Sequence, residues 1–162
     1  DINVEPGIYY IDGDLDVSGG YFKCMDSATD TCSGTGVLFY VTGVISLNGN
    51  GQIDIPAYRQ TCTSYYTGDC WDGLSFWQVG GNTQNDGATF NGTSGIEVGT
   101  IYVPNALLNM NGNANNSDPG TIQVTGLVIG KVVDLSGNLS LNIVVPLDAP
   151  DVLSAVDLGL EK

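Results

Sequence analysis

Residues 37–50 read VLFYVTGVISLNGN, and this stretch is the clearest indication of the fold class. Two short apolar runs, rich in β-branched and aromatic residues, are separated by Thr42-Gly43, and the second run ends in Leu-Asn-Gly-Asn. Short apolar runs bounded by glycine, asparagine and threonine are typical of strands and turns. Similar segments recur along most of the chain, so the sequence predicts an all-β protein.

The end of that stretch is one copy of a weak repeat: an apolar residue, then Asn or Ser, then Gly. The repeat reads VSGG at 17–20, LNGN at 47–50, FNGT at 90–93, MNGN at 110–113 and LSGN at 135–138. Asn-Gly and Ser-Gly pairs supply positive φ angles for sharp turns. We expect the apolar residue of each copy to point inward and to stack on its counterpart in the next copy. Allowing for loop insertions, the unit is about 20–25 residues long, a period typical of solenoids.

The repeat predicts a single-stranded right-handed β-helix, a solenoid of roughly six coils, over residues 1–149. A β-sandwich or jelly roll is the alternative, because Asn-Gly is also the commonest signal for a two-residue hairpin turn. The irregular grouping of short strands around one longer period favours the β-helix over evenly spaced hairpins.

Two polar loops, residues 20–35 and 56–72, interrupt the repeat, and each contains two cysteines. Local pairing gives the disulfides Cys24–Cys32 and Cys62–Cys70, which would pin both loops. A zinc site of four thiolates, or free thiols, is the alternative, although the C-x2-C spacing of zinc knuckles is absent. Disulfides indicate an oxidising compartment, so we expect an extracellular or cell-surface location.

The C-terminal tail, residues 150–162, has a different pattern. Its apolar residues after Pro150 are compatible with a short amphipathic helix that caps the open end of the stack. A linker or a disordered terminus is the alternative. The chain begins at Asp1 without a methionine or an apolar leader, which is expected of a mature fragment or an excised domain.

Composition excludes several functions. The chain has 162 residues, 4 Lys+Arg against 18 Asp+Glu, a formal net charge of −14 and no histidine. Such a charge repels phosphates and anionic lipids, so we expect no nucleic-acid partner. No apolar run reaches the ~20 residues of a membrane span, so we expect no membrane insertion by this chain. The lack of histidine removes Ser-His-Asp and Cys-His catalysis and His-ligated metals.

Several segments together resemble the C-terminal domains of TadG-like and PilX-like proteins of bacterial tight-adherence and type IV pilus systems. They span most of residues 5–144 and read PGIYYIDG at 6–13, LDVSG at 15–19, GVLFYVTG at 36–43, ISLNGN at 45–50, WDGLSFWQ at 71–78, GTIYVPN at 99–105, NMNGN at 109–113 and VDLSGN at 133–138. The resemblance implies an extracellular right-handed β-helix, displayed on or near a pilus or envelope, that serves attachment. It carries no catalytic motif to this chain.

Asp12, Asp14 and Asp16 form a D-x-D-x-D motif. In a loop, three such carboxylates can converge on Ca²⁺, and in one strand they share a face where a cation would relieve their repulsion. The EF-hand pattern is not met, because Val17 occupies the sixth position where that loop needs glycine. An exposed acidic strand face is the alternative. No cofactor is otherwise required.

The loop at 56–72 is dense in aromatic residues and contains the single arginine of the chain. Rings of this kind stack on sugars and on partner side chains, or else pack the loop onto the scaffold as a small satellite core. The candidate ligand-binding residues are Tyr58, Arg59, Tyr65, Tyr66 and Trp71, with Trp77 as a further member.

These features predict a non-enzymatic adhesion or recognition module. Its expected partners are a host or abiotic surface, a glycan or other pilus subunits. A small polysaccharide-cleaving enzyme is the first alternative, with a carboxylate pair drawn from Asp54, Asp69 and Asp72. A passive stalk or tip subunit is the second. Ice binding is disfavoured because it needs a regular ladder of Thr-x-Thr triplets, and the chain has only Thr29-Asp30-Thr31 and Thr61-Cys62-Thr63.

Overall fold

The computed structural model describes residues 1–32, 34–49, 52–60, 71–79, 87–92, 95–112 and 120–145. All of its regular structure is β. The strands are β1 (Ile2–Val4), β2 (Gly7–Ile11), β3 (Leu15–Ser18), β4 (Phe22–Cys24), β5 (Val37–Val41), β6 (Ile45–Gly49), β7 (Ile53–Ile55), β8 (Leu74–Gln78), β9 (Ala88–Gly92), β10 (Ile96–Val98), β11 (Thr100–Gly112), β12 (Gly120–Thr125), β13 (Val128–Gly137) and β14 (Leu139–Val144). The predicted all-β class is confirmed.

The strands form two sheets in which every pairing between strands is parallel. The six-stranded sheet has the order β1-β4-β7-β10-β12-β14. The eight-stranded sheet has the order β2-β5-β8-β11-β9-β6-β3, with β13 paired to β11. The first half of β11 pairs with β8 and the second half with β9, so this strand joins a first arm (β2, β5, β8) to a second arm (β3, β6, β9).

The prediction of a single-stranded β-helix solenoid is wrong, because the strands assemble into these two sheets of six and eight. The prediction assumed that glycine corners divide every repeat into the same separate strands. Gly13, with a φ of 136°, and Gly43 do interrupt the chain between β2 and β3 and between β5 and β6. The matching stretch of β11 is Val-Pro-Asn-Ala at 103–106, which has no glycine and stays extended. One continuous strand therefore crosses from one arm to the other.

The repeat positions nevertheless stack as expected. The leading apolar residues of the five copies lie opposite one another on β3, β6, β9, β11 and β13. In that order they are Val17, Leu47, Phe90, Met110 and Leu135. The first four of these are buried. The polar residues that follow them are also in register, in the order Ser18, Asn48, Asn91, Asn111 and Ser136.

The core lies between the two sheets and is largely aliphatic, with one line of aromatic rings. Phe39 stacks on Tyr9 at a centroid distance of 5.2 Å and on Phe76 at 5.5 Å, and Phe76 meets Phe90 at 5.2 Å. Phe39 also contacts Phe22 of the six-stranded sheet at 5.5 Å. These rings connect both arms and both sheets in one apolar interior.

Two buried polar side chains hold the parts of the fold together, since Gln78 connects the two arms and Ser75 connects the two sheets. The Gln78 amide donates hydrogen bonds to the carbonyl oxygens of Gly43 and Gly87, at 2.8 and 2.7 Å. The Ser75 hydroxyl donates to the carbonyl of Ile55 and accepts from the amide N–H of Gly99, both at 2.8 Å. Each satisfies backbone groups at a point where the chain changes direction inside the protein.

The predicted disulfide Cys24–Cys32 is confirmed. Cys24 is buried at the end of β4 and Cys32 packs against the same core. This bond excludes a zinc site formed by all four thiolates. Cys62 and Cys70, and the tail at 150–162, lie outside the described residues.

Replacing both Cys24 and Cys32 with serine is expected to lower the free energy of unfolding by about 2–3 kcal/mol. The eight-residue separation closes a small loop, and the bond removes its conformational entropy from the unfolded chain. Urea denaturation of the two proteins measures the difference. Equal stability of the variant and the parent would show that the bond adds nothing.

Candidate functional site

A line of aromatic side chains lies on the outer face of the first arm. Tyr10 of β2, Tyr40 of β5, Trp77 of β8 and Tyr102 of β11 occupy the same register position on four neighbouring strands. We call these four residues, together with Trp71, the aromatic row. Because side chains alternate between the two faces of a strand, the residue before each ring points inward instead. Those inward residues are Tyr9, Phe39, Phe76 and Ile101.

The rings of the aromatic row are in continuous contact. Tyr10 stacks on Tyr40 at a centroid distance of 5.4 Å, with an angle of 23° between the planes. Tyr40 lies 5.4 Å from Trp77, and Trp77 meets the edge of Tyr102 at 5.5 Å. Trp71 lies 4.5 Å from Trp77 and 5.8 Å from Tyr40. With strands spaced about 4.8 Å apart, the row crosses about 15 Å of sheet surface.

The row is accessible at its β2 end. Tyr10 is 68 % exposed, and β2 is the outermost strand of its arm in the described part of the chain, where one face of this ring has no neighbouring strand beside it. Ile8 on the same strand is 51 % exposed. At the other end, Ile129 of β13 is in register with Tyr102 and is partly exposed. Together these side chains form an amphipathic surface of the kind found at recognition sites.

The structure brings one of the predicted loop residues into this row, namely Trp71. Tyr58 is partly exposed, and its backbone N–H donates to the carbonyl of Leu74 at 2.8 Å. Arg59 extends towards the carboxylate of Asp72, with a 4.0 Å separation between Nη1 and Oδ2. Tyr65 and Tyr66 lie outside the described residues. Trp71 therefore packs onto the sheet, as the satellite-core alternative expects, and a role in ligand binding stays a prediction.

Sequence reasoning missed Tyr10, Tyr40 and Tyr102, and it gave Trp77 only a minor role. A signal for them was present. Each of the four row residues that lie on strands follows directly after an inward-facing apolar or aromatic residue, in the pairs Tyr9-Tyr10, Phe39-Tyr40, Phe76-Trp77 and Ile101-Tyr102. Such a pair places one side chain in the core and the next on the outer face.

The acidic motif is divided by the turn between β2 and β3. Asp12 and Asp14 flank Gly13, and Asp16 is exposed on β3. The Asp12 carboxylate accepts a hydrogen bond from the Thr42 hydroxyl at 3.0 Å, and the Asp14 carboxylate accepts one from the Val44 N–H at 2.7 Å. Among the described residues no group of three acidic, cysteine or histidine side chains is arranged to hold a metal ion. Calcium binding by this motif stays a prediction.

The outer face of the six-stranded sheet has a polar line instead of an aromatic one. Lys23, Asp54 and Glu97 are neighbours in register on β4, β7 and β10. Burial raises the pKa of the Asp54 carboxyl above its ordinary range, and the Lys23 ammonium partly opposes this by lowering it. Of the other two proposed catalytic carboxylates, Asp72 is hydrogen-bonded to the Gln60 N–H at 2.9 Å and faces Arg59. Asp69 lies outside the described residues.

Replacing Asp54 with asparagine is expected to stabilise the protein near neutral pH and to have less effect as the pH falls. Folding raises the pKa of this group, so the folded protein binds its proton more tightly than the unfolded chain does. The group's contribution to stability is therefore greatest in acid and is lost as the pH rises through the folded-state pKa. Urea unfolding from about pH 3 to pH 7 measures the difference between the free energies of unfolding of the variant and the parent. Asp134→Asn, at an exposed site, is the control, and a D54N variant less stable than the parent at neutral pH would contradict the expectation.

Arg59 and Glu97 line a shallow cleft of about 230 Å³, with Pro56 and Thr125 among its walls. Pockets that enclose a drug-sized ligand are usually larger, at about 300–1,000 Å³. The cleft is therefore a less suitable binding site than the open aromatic surface.

Comparison with family models, with curated proteins and with solved structures finds no match to this chain. In the part of the chain that the structure describes, no helix has the length and apolar character needed to cross a membrane.

Proposed function

We propose that the chain is an extracellular, non-enzymatic adhesion module associated with a bacterial pilus or cell envelope. It binds a glycan-bearing or abiotic surface through the aromatic row. The observation that supports this proposal is the unbroken contact of five outward-facing rings on four parallel strands and the adjoining loop. Aromatic rings offer large, rigid contact areas at a low cost in side-chain entropy.

The charge of the chain limits the kind of ligand. With a formal net charge of −14, the protein repels uronates, sulfated glycans and other polyanions. Neutral sugars have C–H faces that stack on aromatic rings without any charge requirement. A neutral polysaccharide is therefore the ligand class that fits the row best.

The location outside the cell is supported by the Cys24–Cys32 disulfide, because such bonds persist mainly in oxidising compartments. The association with a pilus or envelope rests on the resemblance of segments such as 6–13, 36–43 and 71–78 to TadG-like and PilX-like domains. Labelling of intact cells and co-sedimentation with sheared pili test that association. Recovery of the protein only in the cytosolic fraction would contradict it.

The binding proposal is tested by retention of the full chain on insoluble chitin and cellulose and on a neutral-glycan array. Tyr10→Ala is expected to weaken binding about 5- to 10-fold, the size expected for the loss of one stacking contact of 1–1.5 kcal/mol. Tyr21→Ala is the matched control, because Tyr21 is 50 % exposed and lies outside the row.

Two outcomes would contradict the proposal. In the first, Tyr10→Ala and Tyr21→Ala bind as well as the parent, so the row takes no part. In the second, the parent releases reducing ends from the same polymers, which would identify an enzyme. Loss of pilus assembly with unchanged binding in the Tyr10 variant would favour the passive stalk instead.

A further inference from the structure

The aromatic row runs in one direction across the sheet, and its steps are even. Its four strand residues lie directly opposite one another on β2, β5, β8 and β11. The ring centroids are 5.4 Å apart from Tyr10 to Tyr40, 5.4 Å from Tyr40 to Trp77 and 5.5 Å from Trp77 to Tyr102. A ligand that contacts all four rings in the same way must therefore be extended and must repeat at a similar interval.

The rings leave part of their faces open to a ligand. Parallel rings in contact are about 3.5–4 Å apart along their common normal. Tyr10 and Tyr40 are within 23° of parallel with their centroids 5.4 Å apart, so the two rings are offset and overlap only in part. Trp77 is inclined by 56° to Tyr40, and Tyr102 by 89° to Trp77. The row therefore presents both ring faces and ring edges along its length.

A chain of β-1,4-linked glucose-type sugars has the shape that these steps require. Both of its linkages leave each sugar ring equatorially, so the chain is an extended ribbon. Each sugar adds about 5 Å, the span of a six-membered ring with single bonds of about 1.5 Å and its linking oxygen. An α-1,4-linked chain leaves each ring through an axial bond and coils instead. The C–H groups of the sugars pack on aromatic rings, and tyrosine hydroxyl groups form hydrogen bonds with sugar hydroxyl groups.

We propose that the aromatic row binds an extended neutral polysaccharide of β-1,4-linked glucose-type sugars, with the chain axis across the strands and one sugar at each step of the row. This inference rests on the proposed adhesion function and names the ligand class of the same surface. A sugar chain lying along a strand would contact only one ring of the row, because each of the four strands contributes one.

The length of the row limits the number of sugars that it contacts. Beyond Tyr102, the next residue in register is Ile129 of β13, an aliphatic side chain that is 36 % exposed. At the other end, Tyr10 is the last ring on the described strands of the first arm. Four rings on strands spaced about 4.8 Å apart therefore accommodate about four sugars.

Calorimetric titration of the full chain with cello-oligosaccharides of about two to six sugars tests the inference. The dissociation constant is expected to fall about 3- to 10-fold with each sugar added up to about four, the change expected for one further ring contact. Longer chains should change it by less than about 2-fold. Malto-oligosaccharides of equal length, which are α-1,4-linked, are expected to bind at least about 10-fold more weakly. Chito-oligosaccharides have the same linkage as the cello series, and their relative affinity distinguishes the two sources of such a chain.

Tyr10→Ala removes the terminal ring of the row, so the affinity is expected to stop rising at about three sugars instead of four. A variant with only a structural defect would weaken binding of every length by the same factor. Tyr21→Ala is the matched control, because Tyr21 is 50 % exposed outside the row, and it should keep the limit of the parent.

An affinity that does not depend on length, equal affinity for the cello and malto series, or an unchanged limit in Tyr10→Ala would overturn the inference. If the chain is still retained on insoluble chitin or cellulose, any of these results leaves the adhesion proposal standing. A chain that binds no oligosaccharide of the three series and is retained on neither polymer would overturn both.

Discussion

Phe76→Ala is expected to lower the free energy of unfolding by about 3–5 kcal/mol, the range for a large aromatic residue removed from a core. Phe76 is 0 % exposed and sits between Phe39 of the first arm and Phe90 of the second. Its removal leaves a cavity at the point where the two arms share their interior. Because backbone pairing fixes the positions of the surrounding strands, neighbouring side chains can relax only partly into that space.

Urea denaturation followed by tryptophan fluorescence measures this loss, because Trp71 and Trp77 are the two tryptophans of the chain. Phe76→Leu is the matched control and should cost about 1 kcal/mol, since it keeps most of the apolar volume. A Phe76→Ala variant that loses less than about 1 kcal/mol would show that the aromatic line does not hold the arms together.

Trp77→Ala is expected to weaken binding to chitin or cellulose about 30-fold or more, the effect of losing at least 2 kcal/mol at a central interface residue. Trp77 touches Tyr40, Trp71 and Tyr102, so its removal divides the aromatic row in the middle. Truncation also removes the ring that lies closest to Trp71 among the described residues. The effect should therefore exceed that of Tyr10→Ala at the end of the row.

Trp77→Phe separates the loss of a contact from the loss of structure, because it keeps a ring at the same position. Its binding should fall by less than that of the alanine variant. All binding measurements are made at temperatures where the unfolding curves show each variant to be folded. Parent-like affinity in folded Trp77→Ala would exclude the middle of the row from the interface.

The strand content and the Cys24–Cys32 bond were predictable because both are local properties. Apolar runs ended by Asn-Gly or Ser-Gly fix strands and their limits within a few residues, and the two cysteines are only eight positions apart. The stacking of Leu47 on Phe90, and of Phe90 on Met110, followed from the repeat itself.

The sheet arrangement was not predictable in the same way. Residues 103–106 could form a turn or stay extended as part of β11. Which of the two occurs depends more on the neighbouring strands than on the sequence of that stretch. Proline is usually taken to end a strand, yet Pro104 lies within β11. The aromatic row depends on register between strands separated by 25 to 37 positions, as from Tyr40 to Trp77, and register is set by the whole fold.

The clearest test of whether the aromatic row is the binding surface uses the intrinsic fluorescence of the full chain. Both tryptophans belong to the row, so their emission reports on that surface alone. Titration with chito- and cello-oligosaccharides is expected to change the emission with the same saturation curve as direct binding measured by calorimetry. If calorimetry shows saturable binding while the tryptophan emission stays unchanged, the ligand binds outside the aromatic row. That result would contradict the assignment of the row as the binding surface.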